Sequence, residues 1–218
     1  MEYPKELEYF HNKHLNKTAI IIGGGPSLKH GQKYFDYAKN KYYFLGNNDS
    51  IFEKKLFKLD YFFISDSKNF ERHGKENFIK KKVKKQKFFL NIKYIKNRLL
   101  TEDETKRAKG ISIDMDSHVV FFNYKKYLNN PYRIDASSIF ITFQVALLMG
   151  FKKIYLAGCD CGGPNYFIPK ERPYYRLVKR WKYLKNFTEK YFPDVKIYVI
   201  NPVNLKDIFP EDPDYFKS

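Results

Sequence analysis

The chain has 218 residues, of which 43% are hydrophobic and 19% aromatic, with 41 Lys and Arg against 24 Asp and Glu. This length suits one α/β domain, and the aromatic content argues against a disordered chain. No apolar stretch approaches the ~20 residues that cross a bilayer, and Met1–Pro4 does not begin a signal peptide. We therefore expect a cytoplasmic protein.

The formal net charge of +17 has three interpretations: nucleic-acid binding, attraction to an anionic membrane or substrate, and the lysine bias of an AT-rich genome. The densest basic run is Lys80–Lys87, a pattern typical of a solvated face. No zinc-finger, RNP or helix-turn-helix pattern accompanies it, which disfavours nucleic acid. We expect an anionic substrate, or a peripheral position on the inner face of the membrane.

The first predicted elements surround a glycine-rich turn. Residues 1–17 are polar and predict a short helix or an arm. The run Thr18–Gly23 predicts a buried parallel strand, and a helix from about Ser27 to Asn40 follows Gly23–Gly25 and Pro26. Such a loop brings bare backbone N–H groups close to a phosphate, with Ser27 capping the helix. It matches neither G-x-G-x-x-G nor the P-loop, and a simple turn is the alternative.

Strands and helices alternate along the rest of the chain. The predicted strands are Tyr42–Leu45, Asp60–Ile64, Lys87–Leu90, Val119–Phe122, Lys153–Ala157 and Lys196–Ile200, and the predicted helices are Ser137–Met149 and Tyr174–Tyr191. Gly150 is expected just after the first of these helices, and Thr101–Gly110 has no clear pattern. The alternation predicts one Rossmann-like α/β domain over residues 18–202. Its mostly parallel sheet carries helices on both faces, and residues 203–218 form a tail.

Polar residues follow several predicted strands at their carboxyl ends, where such sheets bind ligands. Asn47 and Asn48 follow the second strand, Ser65 and Asp66 the third, and Asp160 the strand Lys153–Ala157. Amides suit a base or a sugar, and carboxylates suit hydroxyl groups or a divalent cation. Each cluster also fits an ordinary turn, but their coincidence with the glycine loop predicts a nucleotide site.

These residues together match a known pattern. It consists of Ile21–Leu28, the Asn pair, and the stretch from Arg133–Ser138 into Gln144–Asp160. The pattern resembles the superfamily of Campylobacter-type bacterial sialyltransferases, 6-hydroxymethylpterin pyrophosphokinase-like proteins and motility-associated flagellin glycosyltransferases. The resemblance covers about residues 17–202.

The resemblance implies a nucleotide held by the glycine loop, either CMP-sialic acid as donor or ATP. The residues that it places around the nucleotide are Gly24, Gly25, Pro26, Ser27, Asn47, Asn48, Ser137, Ser138 and Gly158. Ser65 and Asp66 are added to this set because they follow the third predicted strand. It also aligns Arg133 and Asp160 with an arginine and an aspartate of the family, and we take both as catalytic candidates.

One departure concerns the general base, which is a histidine ahead of the penultimate helix in the sialyltransferases. Here Tyr175 or Arg176 occupies that position, and no histidine follows His118. A tyrosine is a poor base at neutral pH because its ordinary pKa is ~10. Arg172, Arg176 and Lys179 are suited instead to neutralising phosphate charge.

The sequence thus predicts a glycosyltransferase-like enzyme that uses a nucleotide-activated sugar for a cell-surface glycan, without a tightly bound cofactor. We expect a glycan acceptor as partner and a homo-oligomer as the assembly. The first alternative is a diphosphotransferase of the pterin pyrophosphokinase type, in which Asp66 and Asp160 hold Mg²⁺ beside ATP. The second is a nucleotide- or nucleic-acid-binding protein without catalysis.

Overall fold

The fold is built on one parallel β-sheet. The computed structural model of the protein describes residues 2–47, 58–64, 87–91, 110–113, 120, 137–162 and 175–217. The strands in these ranges are β1 Thr18–Ile22, β2 Tyr43–Asn47, β3 Tyr61–Ile64, β4 Lys87–Asn91, β5 Gly110–Ile113, β6 Lys153–Ala157 and β7 Lys196–Ile200. They form a seven-stranded sheet in the order β5-β4-β3-β2-β1-β6-β7, and every pair is parallel.

Three α-helices lie in the described ranges: α1 Gln32–Ala38, α2 Ser138–Leu148 and α3 Tyr175–Tyr191. Short 3₁₀-helices span Lys5–Phe10, Pro26–His30 and Tyr215–Lys217. Gly150 adopts a left-handed conformation with φ +81° just after α2, as expected for a glycine that ends a helix.

Two apolar clusters cover the two faces of the sheet. In β1, Ala19 and Ile21 belong to the cluster that contains α2 and the buried face of α3. Ile20 and Ile22 belong to the other cluster, with α1 and Tyr215. Successive side chains of a strand point to opposite faces, so an unbroken apolar strand fits a sheet buried on both sides. The predicted α/β class with helices on both faces is confirmed.

The predicted helix from Ser27 to Asn40 was wrong as one element. The chain forms the 3₁₀-helix Pro26–His30 and then α1, with Gly31 between them. A Cβ on Gly31 would lie 2.7 Å from the ring of Phe35, so glycine permits the tight junction there.

The strand β5 was not predicted, because Gly110–Ile113 follows a charged stretch and is short. The predicted strand Val119–Phe122 lies outside the described residues except for Val120, which is buried and is not in a strand.

The two ends of the chain pack onto the sheet. Leu7 and Phe10 are buried, and the backbone N–H groups of Asn12 and His14 donate to carbonyls at the end of α2 and just beyond it. Leu205, Ile208, Phe209 and Tyr215 are buried as well. The proposed boundaries 1–17, 18–202 and 203–218 stay predictions. In the described part of the chain, no helix is both long enough and apolar enough to cross a bilayer.

Candidate functional site

The candidate site lies where the strand order reverses. From β1 the chain builds the sheet outward through β2 to β5, and then crosses to the other side of β1 with β6 and β7. Sheets of this kind bind ligands in the crevice outside the carboxyl ends of the two strands at the reversal. Here those ends carry the glycine loop after β1 and Gly158–Asp160 after β6.

The strand register aligns the residues at this edge. Ile22 pairs with Gly46 of β2 and with Ala157 of β6, and Ala157 pairs with Ile200 of β7. The residues that come next on these strands are Asn47, Gly23, Gly158 and Asn201. They therefore form one row across the carboxyl edge of the sheet.

Two of the three loop glycines are needed for packing. A Cβ on Gly23 would lie 2.3 Å from the carbonyl oxygen of Gly158, and one on Gly25 would lie 2.5 Å from the Asp160 carboxyl carbon. The N–H groups of Gly23 and Gly25 donate to the carbonyls of Ala157 and Gly158, each at 2.8 Å. Glycine at both positions lets the loops after β1 and β6 touch along their backbones.

Gly24 differs from its neighbours. It is exposed, and a Cβ built on it would meet no atom within 4 Å. Its backbone therefore faces open space at the reversal of strand order. Of the three predicted loop positions, Gly24 is the one that leaves room for a ligand to approach the main chain.

The prediction that Ser27 caps the following helix was wrong. The residue at the N-cap of Pro26–His30 is Gly25, and no side chain of the helix start makes a capping hydrogen bond. Instead the backbone N–H of Ser27 donates to Asp160 Oδ2 at 2.8 Å, and its hydroxyl donates to Asp160 Oδ1. The lack of a side chain on Gly25 allows this approach, so the Asp160 carboxylate takes the place expected for a phosphate.

Burial raises the pKa of Asp160, and the two hydrogen bonds from Ser27 offset part of that rise. The side chain is only 2% exposed, and both of its oxygens accept from Ser27. Asp160 thus ties together the two loops at the strand reversal. Its predicted catalytic role stays a prediction.

Asn47 and Ser138 are brought together at the adjoining strand end. The Asn47 amide nitrogen donates to the carbonyl of Ile22 at 2.8 Å, and its oxygen accepts from the Ser138 hydroxyl at 3.2 Å. Both residues are buried. Ser137, in extended conformation just before α2, is half-buried. These contacts join β2, β1 and α2 beside the loop.

The remaining predicted site residues divide into two groups. Tyr175 and Arg176 begin α3, and both are exposed, Tyr175 by 71%. Asn48, Ser65, Asp66 and Arg133 lie outside the described residues.

No group of three or more His, Cys, Asp or Glu side chains in the described ranges is arranged to hold a metal ion.

The loop after β7 also belongs to this edge, although the sequence pattern did not indicate a role for it. The Asn204 side-chain nitrogen donates to the carbonyl of Asp160 at 2.7 Å. The Asn201 side-chain nitrogen is buried and has no hydrogen-bond partner, unlike every other buried side-chain nitrogen or oxygen among the described residues. The signal was an asparagine directly after a predicted strand, and we interpreted it only as the end of that strand.

The two cysteines beside Asp160 have the properties of structural thiols. Burial raises the pKa of Cys159 well above its ordinary value, and burial raises that of Cys161 to about 12 although the Trp181 indole hydrogen-bonds its sulfur. Since the thiolate is the nucleophilic form, neither is activated for attack.

The family comparison concerns most of the chain. The family model described as 6-hydroxymethylpterin diphosphokinase MptE-like matches residues 1–165. No curated protein sequence matches the chain.

Among solved structures, the chain is similar to that of the MAf glycosyltransferase from Magnetospirillum magneticum AMB-1, with a TM-score of 0.57 and 11% sequence identity. The match covers 94% of this chain and 37% of that protein's chain, so this chain spans a little over a third of its length. At this identity the similarity shows a shared fold. The two matches confirm the superfamily identified from the glycine loop and the Gln144–Asp160 stretch.

Proposed function

Since the chain belongs to the MptE-like family, we propose that it is a nucleotide-dependent transferase whose nucleotide lies against Gly24. The observation that carries the proposal is the open space at Gly24, between two tightly packed glycines at the reversal of strand order. Packing explains Gly23 and Gly25 but gives no reason for a glycine at position 24. Close approach of a phosphate to the main chain supplies that reason.

The unpaired side-chain N–H donor of Asn201 supports the presence of a ligand at this edge. Leaving a buried N–H group without an acceptor costs about 1–3 kcal/mol. Asn201 follows β7 in the row that also contains Gly23 and Gly158. An acceptor on a bound nucleotide or sugar would recover that free energy.

The donor that we propose is a nucleotide-activated sugar of the CMP-sialic acid kind, transferred to a cell-surface glycan. The shared fold with a glycosyltransferase over 94% of the chain supports this choice. Asn47, Asn48, Ser65, Asp66, Ser137 and Ser138 would surround the donor, and Arg133, Tyr175 and Arg176 would face the departing phosphate. Asp160 would position Ser27 rather than touch the reacting atoms, because both of its oxygens are already engaged.

The charge of +17 supports an anionic donor and acceptor. We propose a cytoplasmic protein that binds peripherally to an anionic membrane surface and acts as a homo-oligomer. A basic surface raises the local concentration of such partners, and salt weakens the attraction.

A second candidate function is diphosphate transfer from ATP, which the description of the matching family favours. In that reaction Asp66 and Asp160 would bind Mg²⁺ beside the ATP phosphates. Asp160 would then have to release at least one of its two hydrogen bonds from Ser27.

The two reactions leave different products, so one assay separates them. Purified protein would be incubated with CMP-sialic acid and, separately, with ATP and 6-hydroxymethylpterin, each with and without Mg²⁺. Metal-independent release of CMP supports sugar transfer, and Mg²⁺-dependent formation of AMP supports diphosphate transfer. Whichever product forms should be lost in Gly24→Val, whose Cβ would enter the open space with no protein atom within 4 Å. Neither product in the wild type, with any nucleotide sugar tried, would contradict a transferase.

A further inference from the structure

Arg180 in α3 is a largely buried residue whose guanidinium still reaches solvent and has no partner among the described residues. Its side chain is 9% exposed, and no residue in the described ranges forms a hydrogen bond or an ion pair with it. Charged groups are rarely buried unless they are paired, because removing a charge from water costs several kcal/mol. Arg180 thus presents an unpaired guanidinium at the edge of a largely buried position, where an anion can reach it.

The neighbouring residues of α3 supply no carboxylate. The positions three and four residues from Arg180 are Arg176, Leu177, Tyr183 and Leu184. The acidic residue of this helix, Glu189, pairs instead with Lys185 at 3.7 Å. Asp160 is occupied by Ser27.

This turn of α3 lies near the carboxyl edge of the sheet. Trp181, the next residue along the chain, hydrogen-bonds Cys161, which directly follows Asp160. Its ring also lies 5.0 Å from that of Phe140, in the first turn of α2. Ser138, in that same turn, contacts Asn47 at the end of β2.

The direction of α3 orients the Arg180 side chain toward the same edge. The helix ends just before β7 begins, where the N–H of Lys196 donates to Lys152 at the amino edge of the sheet. Its first turn therefore lies toward the carboxyl edge. Helical side chains lean toward the start of their helix, so the guanidinium of Arg180 leans in the direction of that edge.

We propose that Arg180 binds an oxyanion, a phosphate or a carboxylate, on the substrate held at this edge. The planar guanidinium donates two parallel hydrogen bonds to either group, and the low exposure strengthens both. The inference rests on the proposed function only for the identity of the molecule that carries the oxyanion. A diphosphate of the donor and a carboxylate of the transferred sugar are its two sources.

The test is calorimetric titration of the full chain with inorganic pyrophosphate and, separately, with N-acetylneuraminate. Arg180→Gln should weaken binding of one of these probes on the order of tenfold to a hundredfold, and Arg180→Lys should recover part of it. Lys182→Gln is the matched control, since it removes the same charge from an exposed position on the same helix. Loss for pyrophosphate identifies the phosphate source, and loss for N-acetylneuraminate identifies the carboxylate.

Equal binding of both probes by the wild type and Arg180→Gln would overturn the proposal. Titration with a neutral nucleoside separates this result from failure of the proposed function. Nucleoside binding should not depend on Arg180, because a nucleoside carries no oxyanion. Pyrophosphate binding that depends on Arg180, in a protein that binds no nucleoside or nucleotide, would contradict the proposed function and leave the oxyanion site standing.

A thermal measurement keeps the proposal falsifiable if Arg180→Gln folds poorly. Without anions, Arg180→Met should unfold at the same temperature as the wild type or a higher one, because it removes an unpaired charge at a largely buried position and keeps an apolar side chain there. Phosphate should raise the unfolding temperature of the wild type and not that of Arg180→Met. An equal phosphate effect on both proteins would contradict an oxyanion at Arg180.

Discussion

Two aspartates, one buried and one half-buried, hold parts of this molecule together, and their surroundings differ. The carboxylate of Asp160, at the candidate site, accepts hydrogen bonds only from Ser27 among the described residues. Asp212, beyond β7, accepts from the Tyr155 hydroxyl and from the Lys153 ammonium at 3.4 Å. It attaches the end of the chain to β6.

The pKa values move in opposite directions for a physical reason. Burial raises the pKa of Asp160, and the hydrogen bonds from Ser27 only partly offset it. Burial acts in the same sense on Asp212, but hydrogen bonds from Tyr155 and Asp214 and the charge of Lys153 together lower its pKa. The Asp212 carboxylate has Lys153 beside it as a cation, whereas no described residue supplies a cation to the Asp160 carboxylate.

The largest expected effect concerns the close contact of the loops around Asp160. Gly23→Ala places a methyl group 2.3 Å from a backbone oxygen of Gly158, and the backbone cannot rotate away as a side chain can. We expect a loss of about 3 kcal/mol in the free energy of unfolding, measured by urea denaturation. The control, Gly24→Ala, should be stable within about 0.5 kcal/mol. Equal stability of the two variants would remove the distinction between packed and open glycines.

Asp212→Asn should have the next largest effect. It removes the charge that accepts from Tyr155 and pairs with Lys153, at a cost of about 2 kcal/mol at neutral pH. Since folding lowers this pKa from 3.8, the charged group stabilises the protein above that value and ceases to do so as the pH falls through the folded pKa. The difference in unfolding free energy between the wild type and Asp212→Asn should therefore shrink on acidification. A difference that is constant with pH would show that the charge is immaterial.

Tyr155→Phe tests the other partner of the same attachment. The Tyr155 hydroxyl donates to Asp212, so we expect a loss of about 1 kcal/mol. Tyr198→Phe is the matched control, because its ring stacks on Tyr155 at 5.6 Å and its hydroxyl has no hydrogen bond to a described residue. Chemical denaturation of both variants gives the comparison. A control as destabilised as Tyr155→Phe would assign the loss to the rings rather than to the hydrogen bond.

Asp160→Asn should have the smallest effect and the opposite dependence on pH. Folding raises the pKa of Asp160 above 3.8, so its ionisation lowers the free energy of unfolding as the pH rises from 3.8 through the folded value. The stability advantage of the wild type over Asp160→Asn should thus diminish from about pH 3 to pH 7. Denaturation curves across this range measure it, and an advantage that grows with pH would contradict the assigned shift.

The central strands of the sheet were predictable from the sequence because they are buried on both faces. Runs such as Thr18–Ile22 and Lys153–Ala157 are apolar without alternation, and they lie within one residue of their predicted bounds. β5 escaped prediction because Gly110–Ile113 is short and contains Gly110 and Ser112, both poor signals for a strand. The break at Gly31 depends on the approach of Phe35, a contact that local patterns do not specify.

The location of the site was predictable, but its internal contacts were not. Glycines and polar residues at strand ends indicated the carboxyl edge, where the structure places Gly24, Asn47 and Asp160. Ser27 and Asp160 are 133 residues apart, and only the pairing of β1 with β6 brings them together. The same holds for the isolation of Arg180, which depends on what α3 packs against.

We propose that the open backbone at Gly24 receives a nucleotide. Thermal unfolding of the wild type and Gly24→Val with CMP, CDP, UDP, GDP and ATP, with and without Mg²⁺, tests it most directly. We expect at least one nucleotide to raise the unfolding temperature of the wild type, by the equivalent of ~2.7 kcal/mol at a concentration of 100 Kd. We also expect no shift in Gly24→Val, with equal stability of the two proteins in the absence of ligand. The same shift in both proteins, or no shift in the wild type with any nucleotide, would contradict the account.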